Sequence, residues 1–184
     1  MEYLIHLAII SSIYAILGVS LNLVVGYAGL LSVTHAAFYG IGAYATAILM
    51  LSYDFGFFTS MVCGMALAGI AAWCIGIISG KFRGDYYALV SFGFNIIVLS
   101  ILLNWQSLTR GPLGIPGISK PTVFGMPLTS NGQFLILSLI ALASVYAISR
   151  GIVSSSFGRA LKGIREDEDA LRVFGYAVAR YKRI

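Results

Sequence analysis

YLIHLAIISSIYAILGVSLN (Tyr3–Asn22) opens a run that reaches Tyr53 without one Asp, Glu, Lys or Arg. Glu2 and Asp54 are the charges on either side of it. A helix needs about 20 apolar residues to cross the hydrocarbon core of a bilayer, so this run has room for two crossings. Further uncharged windows run from Phe55 to Gly80, from Tyr86 to Thr109 and from Pro121 to Ser149. Lipid offers backbone groups no partners, so each window must satisfy its own hydrogen bonds as a helix. A β-barrel would need short alternating segments, and these windows are continuously apolar.

The composition agrees. The chain has 184 residues, of which 59% are hydrophobic and 10% charged, whereas soluble domains carry about 25% charged residues. The pattern predicts an all-α polytopic transmembrane bundle of about five segments. Their expected spans are Leu4–Val25, Leu30–Leu51, Phe57–Ser79, Tyr86–Asn104 and Gly132–Ile148, and the second of them is expected to be irregular. Pro112, Pro116, Pro121 and Pro127 exclude one regular helix between Trp105 and Asn131. Residues 1–150 then form the membrane core, and residues 151–184 a polar, charge-dense loop. The N-terminus has no basic n-region or clear cleavage site, and is read as a retained membrane helix.

The net charge of +5 does not indicate nucleic acid, because the basic residues are confined to loops. Five crossings put Lys81, Arg83, Arg150, Arg159, Lys162, Arg165, Arg172, Arg180, Lys182 and Arg183 on one side. Only Arg110 and Lys120 fall on the other. The positive-inside rule makes the first side cytoplasmic and leaves the N-terminus outside.

No enzyme motif is present: there is no phosphate-binding loop and no HExxH. Cys63 and Cys74 lie in one expected helix about 16 Å apart, too far for a disulfide. Two histidines support no metal site. His6 is expected at a membrane interface. His35 lies within a membrane segment, where ionisable groups are functional candidates, although a neutral imidazole bonded to a neighbouring helix is an ordinary alternative. Small residues cluster at Gly26, Gly29, Ala36, Gly40 and Gly42, with a GxxxG pair at Gly76 and Gly80. Such residues let helices approach closely. An irregular stretch from Gly26 to Gly42 could also line a path, with Ser32 and His35 as its polar members.

In the tail, Ala160, Leu161 and Ile164 repeat at helical spacing. Glu166 to Asp169 form an acidic start for a second helix, where they oppose the positive end of its dipole. Gly175 is a natural C-terminal cap. Two short helices joined at Arg165–Glu166 make a compact protrusion. Its four consecutive acids argue against binding to anionic lipid.

This tail resembles a known family. GRALKGIREDEDA (Gly158–Ala170), with Gly175 and Tyr181–Lys182, is similar to the coupling loop of LivM-type permeases, the membrane subunits of branched-chain amino acid ABC importers. LNLVVGYAGLLS (Leu21–Ser32) with HAAFYGIGAY (His35–Tyr44), RGDY (Arg83–Tyr86) with Phe92–Gly93, and TRGPLGI (Thr109–Ile115) resemble its other signatures in order. The resemblance implies a non-enzymatic permease in the cytoplasmic membrane that carries leucine, isoleucine and valine. It implies no cofactor on this chain, since ATP would be bound by two partner ATPases. The other implied partners are a second permease and an extracytoplasmic binding protein. By position, the ATPase-coupling residues would be Gly158, Arg159, Ala160, Ile164, Arg165, Glu166, Asp167 and Gly175. Family members continue past Tyr181–Lys182 with more membrane helices, so the chain is expected to be a fragment or a truncated product. A permease for urea or a sugar, or a structural subunit without a path, would share these features.

Overall fold

The computed structural model describes residues 2–82, 84–118, 121–123, 126–127 and 130–181. Arg83, Lys120, Lys182 and Arg183, which enter the charge count, lie outside the described residues. Helix α1 covers Glu2–Asn22 and continues as a π-helical turn, Leu23–Tyr27. Then follow α2 (His35–Ser52), α3 (Phe57–Ser79), α4 (Asp85–Asn104), the short α5 (Gln106–Thr109) and a 3-10 turn, Gly111–Leu113. A two-residue hairpin, β1 (Thr122–Val123) with β2 (Met126–Pro127), precedes α6 (Asn131–Ser154). The charged tail forms α7 (Ser156–Glu166), α8 (Glu168–Val173) and α9 (Val178–Tyr181).

Among the described residues, five helices are long and apolar enough to cross a membrane: Glu2–Tyr27, His35–Ser52, Phe57–Ser79, Asp85–Asn104 and Asn131–Ser154. Their large apolar side chains stay largely exposed, including Ile70, Trp73, Leu89, Ile97, Ile136 and Ile140. Water-soluble proteins seldom expose contiguous apolar surface beyond a few hundred Å². Lipid is the solvent that makes such a surface stable. Many of the buried residues are instead small and polar, among them Ser12, Ser60, Ser91 and Ser138. Ser12 donates to the Ala8 carbonyl at 2.7 Å, Ser91 to Ala88 at 2.8 Å and Ser138 to Leu135 at 2.8 Å. Bonding back to the preceding turn satisfies a hydroxyl inside an apolar helix.

Two boundaries differ from the expected ones by more than two residues. The second membrane helix starts at His35 rather than Leu30, because the chain after the π turn runs non-helically from Ala28 to Thr34. The fifth continues six residues past Ile148, to Ser154. Arg150 ends the uncharged window but does not end the helix, since arginine is a good helix former.

The chain divides into two compact units. The first contains residues 1–32 and 128–184. Its main packing is α1 on α6. The two helices run parallel, with Asn131 Nδ2 donating to the Glu2 carboxylate where both begin. Ser130 caps α6: its hydroxyl accepts from the Gly132 amide, while its own amide donates to Gln133, each at 3.3 Å. The segment from residue 151 onward belongs to this unit and packs near the far end of α1.

The second unit contains residues 33–127 and is built on α2 against α3. Gly42 and Gly64 bring these helices together. A β-carbon on Gly64 would sit 2.7 Å from the Gly42 carbonyl oxygen and collide with the Thr46 hydroxyl. Ser91 of α4 accepts from the Val33 amide at 3.1 Å, which ties the start of α2 to α4. After α4, the Thr109 hydroxyl lies 2.6 Å from the Leu102 carbonyl and 2.8 Å from that of Trp105, and accepts from the Gly111 amide. This knot holds Arg110 and Gly111 in the left-handed region, at φ 59 and 57. Cys63 and Cys74 are both free, in α3.

Candidate functional site

The charged tail is assembled on the end of α1. Its corner with α6 is tight. Ser155 caps α7 by accepting from the Gly158 amide at 3.3 Å. A side chain on Gly158 would strike the Ile152 and Val153 carbonyls. Gly158 is therefore what lets the chain turn directly from α6 into α7.

Helix α7 is strongly amphipathic. Its inner face carries Leu161 and Ile164, buried with Ala28 and Val178 and flanked by Leu30, Phe157, Leu171 and Tyr181. Ala160 is buried as well. The outer face presents Arg159, Lys162 and Glu166. Lys162 Nζ stands 5.4 Å from the centre of the Tyr27 ring. The Arg165 guanidinium donates to the Gly26 carbonyl. Gly29 adopts φ +68, and a β-carbon there would lie 2.8 Å from Arg165 Cγ and 3.3 Å from Arg165 Cα. The backbone of the stretch after α1 thus lies directly against α7, as only glycine permits.

The junction to α8 is built by Asp167. Its carboxylate accepts from the Asp169 and Ala170 amides, both at 2.9 Å. Glu166 ends α7, so the acidic start of the next helix comprises Glu168 and Asp169, with Asp167 as its cap. Arg172 pairs with Glu168 at 2.7 Å, one turn apart. Gly175 at φ +83 closes α8: its amide donates to Arg172 at 3.0 Å and that of Tyr176 to Leu171 at 3.1 Å. That double bond pattern is the Schellman cap. In the turn that it closes, Val173 is 88% and Phe174 78% exposed. An open cavity of about 540 Å³ is lined by Phe157, Phe174, Gly175, Tyr176 and Tyr181, among others.

The structure therefore divides the candidate coupling residues. Arg159, Glu166, Asp167 and Gly175 are exposed. Gly158, Ala160 and Ile164 are buried in the chain's own packing. Arg165 is exposed but bonded to Gly26. The exposed Val173 and Phe174 were missed as surface candidates, since an apolar residue on a short helix reads as core.

The candidate path residues fall in different places. Gly26 and Gly29 lie beside α7 in the first unit, which also holds the buried Ser32. His35, Gly40 and Gly42 lie in the second. A β-carbon on Gly40 would sit 3.1 Å from Leu102, and Gly42 packs on α3. His35 meets Phe38 of its own helix edge-on, and its Nδ1 has no hydrogen-bond partner among the described residues. His6 is exposed in α1. Among the described residues, no group of three or more His, Cys, Asp or Glu could hold a metal ion.

Five apolar helices with lipid-compatible surfaces define a polytopic helical membrane protein. A family profile described as "Branched-chain amino acid transport system / permease component" matches residues 3–184. The chain belongs to this permease family. It is 35% identical to the high-affinity branched-chain amino acid transport system permease protein LivM of Escherichia coli (strain K12), over 97% of this chain and 47% of that protein. The LivM protein of Salmonella typhimurium is 34% identical over the same shares. The chain spans about half the length of the curated relatives it matches. No solved structure gives a significant match.

Proposed function

We propose that the protein carrying this chain is a pore-forming permease subunit of an ATP-driven importer of leucine, isoleucine and valine. The observation that carries the reading is the charged α7–α8 unit, rigidly capped and packed on the end of an otherwise apolar bundle. The unit's outward-facing charges at Arg159 and Glu166 have no task in the packing of the described residues and are available to a partner outside the bilayer. Its exposed residues, Arg159, Glu166, Asp167, Val173 and Phe174, combine charge with an apolar tip, as partner-binding surfaces do. The relatives' names, both for branched-chain amino acid transport, supply the substrate class.

In this reading the unit faces the cytoplasm and docks on a partner ATPase. The excess of basic residues on that side supports the orientation. ATP is bound and hydrolysed by the partners, and the permease supplies the path. A second permease completes the pore, and an extracytoplasmic binding protein delivers the amino acid. Movement of α7 and α8 with the ATPases then switches access between the two sides. Gly26, Gly29, Ser32, His35, Gly40 and Gly42 are the proposed contributors to the path. The non-helical stretch between the π turn and α2, and the small residues within α2, suit a lined cavity.

The test is to delete the gene in its source organism and measure uptake of labelled leucine, isoleucine, valine and urea. Loss of the three amino acids with urea unchanged is expected. Loss of urea uptake alone would replace the substrate class. Loss of none would favour a structural subunit.

A further inference from the structure

We propose that Arg165 is a positioning residue that ties α7 to the π turn Leu23–Tyr27, so that displacement of α7 is delivered to the irregular end of α1. This rests on the permease reading above. It gives Arg165, which the family resemblance assigns to ATPase coupling, a partner within its own chain.

Three observations converge on the same turn. The Arg165 guanidinium donates to the Gly26 carbonyl. Carbonyls in the last turn of a helix lack partners within it, and a cation there also meets the negative end of the helix dipole. Lys162, three residues earlier and therefore on the same side of α7, lies over the Tyr27 ring at 5.4 Å. Gly29, at positive φ, gives up its side chain so that the Arg165 stem can lie against the backbone. Beneath them, Leu161 and Ile164 are buried with Ala28. The receiving turn is itself unusual: Leu23–Tyr27 is π-helical, and the Leu30 amide then reaches back to the Val24 carbonyl at 3.2 Å. A π turn is a looser, less stable winding that often marks functional positions in helices. A rigid α7 clamped to a loosely wound turn moves that turn when it moves.

The experiment uses the full-length subunit in its complex with the ATPases, as wild type, Arg165→Met and Arg165→Lys. Amide exchange over residues 23–30 is measured with and without ATP and vanadate, alongside retained ATPase and ATP hydrolysed per leucine imported. In the wild type, nucleotide is expected to change exchange over residues 23–30. Arg165→Met should keep the ATPase bound and hydrolysing, lose the nucleotide response, and hydrolyse more ATP per leucine imported. Arg165→Lys, which keeps a donor, should recover part of the response. A nucleotide response in Arg165→Met equal to the wild type would overturn the proposal. So would loss of the ATPase from the complex, which would make Arg165 a partner contact. Because the exchange measurement needs no substrate, it still judges Arg165 if the complex hydrolyses ATP without moving leucine. That result would count only against the substrate assignment. A wild-type complex with no ATPase would remove both readings.

Discussion

Gly29→Ala is the substitution that the docking of α7 makes most damaging for its size. Two costs combine. The backbone sits at φ +68, and a non-glycine residue in the left-handed region costs about 1 kcal/mol. The added methyl would lie 2.8 Å from Arg165 Cγ, 3.1 Å from its Cβ and 3.3 Å from its Cα. The last of these is backbone, so a side-chain rotation cannot relieve the overlap. Helix α7 must back away, and overpacking of this kind costs about 1–3 kcal/mol. The total of about 2–4 kcal/mol would raise the undocked population of α7 at least tenfold. Amide exchange over Ser156–Glu166 in the full-length protein in detergent reads that population directly. Gly18→Ala is the control, since Gly18 lies in α1 with nothing within 4 Å of an added β-carbon. Exchange should rise at least tenfold for Gly29→Ala and stay unchanged for Gly18→Ala. Equal behaviour of the two variants would refute the close packing of α7 on the stretch after α1.

Asp167→Ala removes both cap bonds of α8 and should cost about 1 kcal/mol, seen as faster exchange across Glu168–Val173 with α7 unaffected. Gly64→Ala should force α2 and α3 apart at Gly42 and cost about 1–3 kcal/mol in thermal stability, whereas Gly69→Ala, with open space around it, should be silent. Thr109→Val keeps the shape but leaves the Gly111 amide and two carbonyls without their hydroxyl. A loss of about 1–3 kcal/mol is expected, together with protease cleavage near Arg110.

The membrane helices were legible because the signal is compositional. Lipid demands long apolar runs, and α3 falls on Phe57–Ser79, its expected span. The late start of α2 was not legible. Residues 30–34 are apolar enough to join a helix, and it is the fold after the π turn that leaves them out of one. A π turn has no sequence period of its own, so Leu23–Val25 read as the end of an ordinary helix and the glycine at Gly26 as its interruption, while the structure winds Leu23–Tyr27 as one π turn. The tail illustrates the same limit. The apolar spacing of Leu161 and Ile164 marks an amphipathic helix and implies a burial partner without naming it. That partner lies near Gly26, and the bond from Arg165 spans 139 residues of sequence. A single sequence contains no record of a contact at that distance. Gly158 was picked out by family resemblance, but its physical task, the tight corner between α6 and α7, needed the carbonyls of Ile152 and Val153 in place.

The most direct measurement is leucine accumulation in proteoliposomes that hold the full-length permease, its partner permease and the ATPases, with binding protein supplied on the opposite face. The account predicts accumulation against a gradient that requires ATP on the face bearing α7 and α8. Accumulation without ATP, or ATP-driven movement of some other solute while leucine stays out, would contradict it.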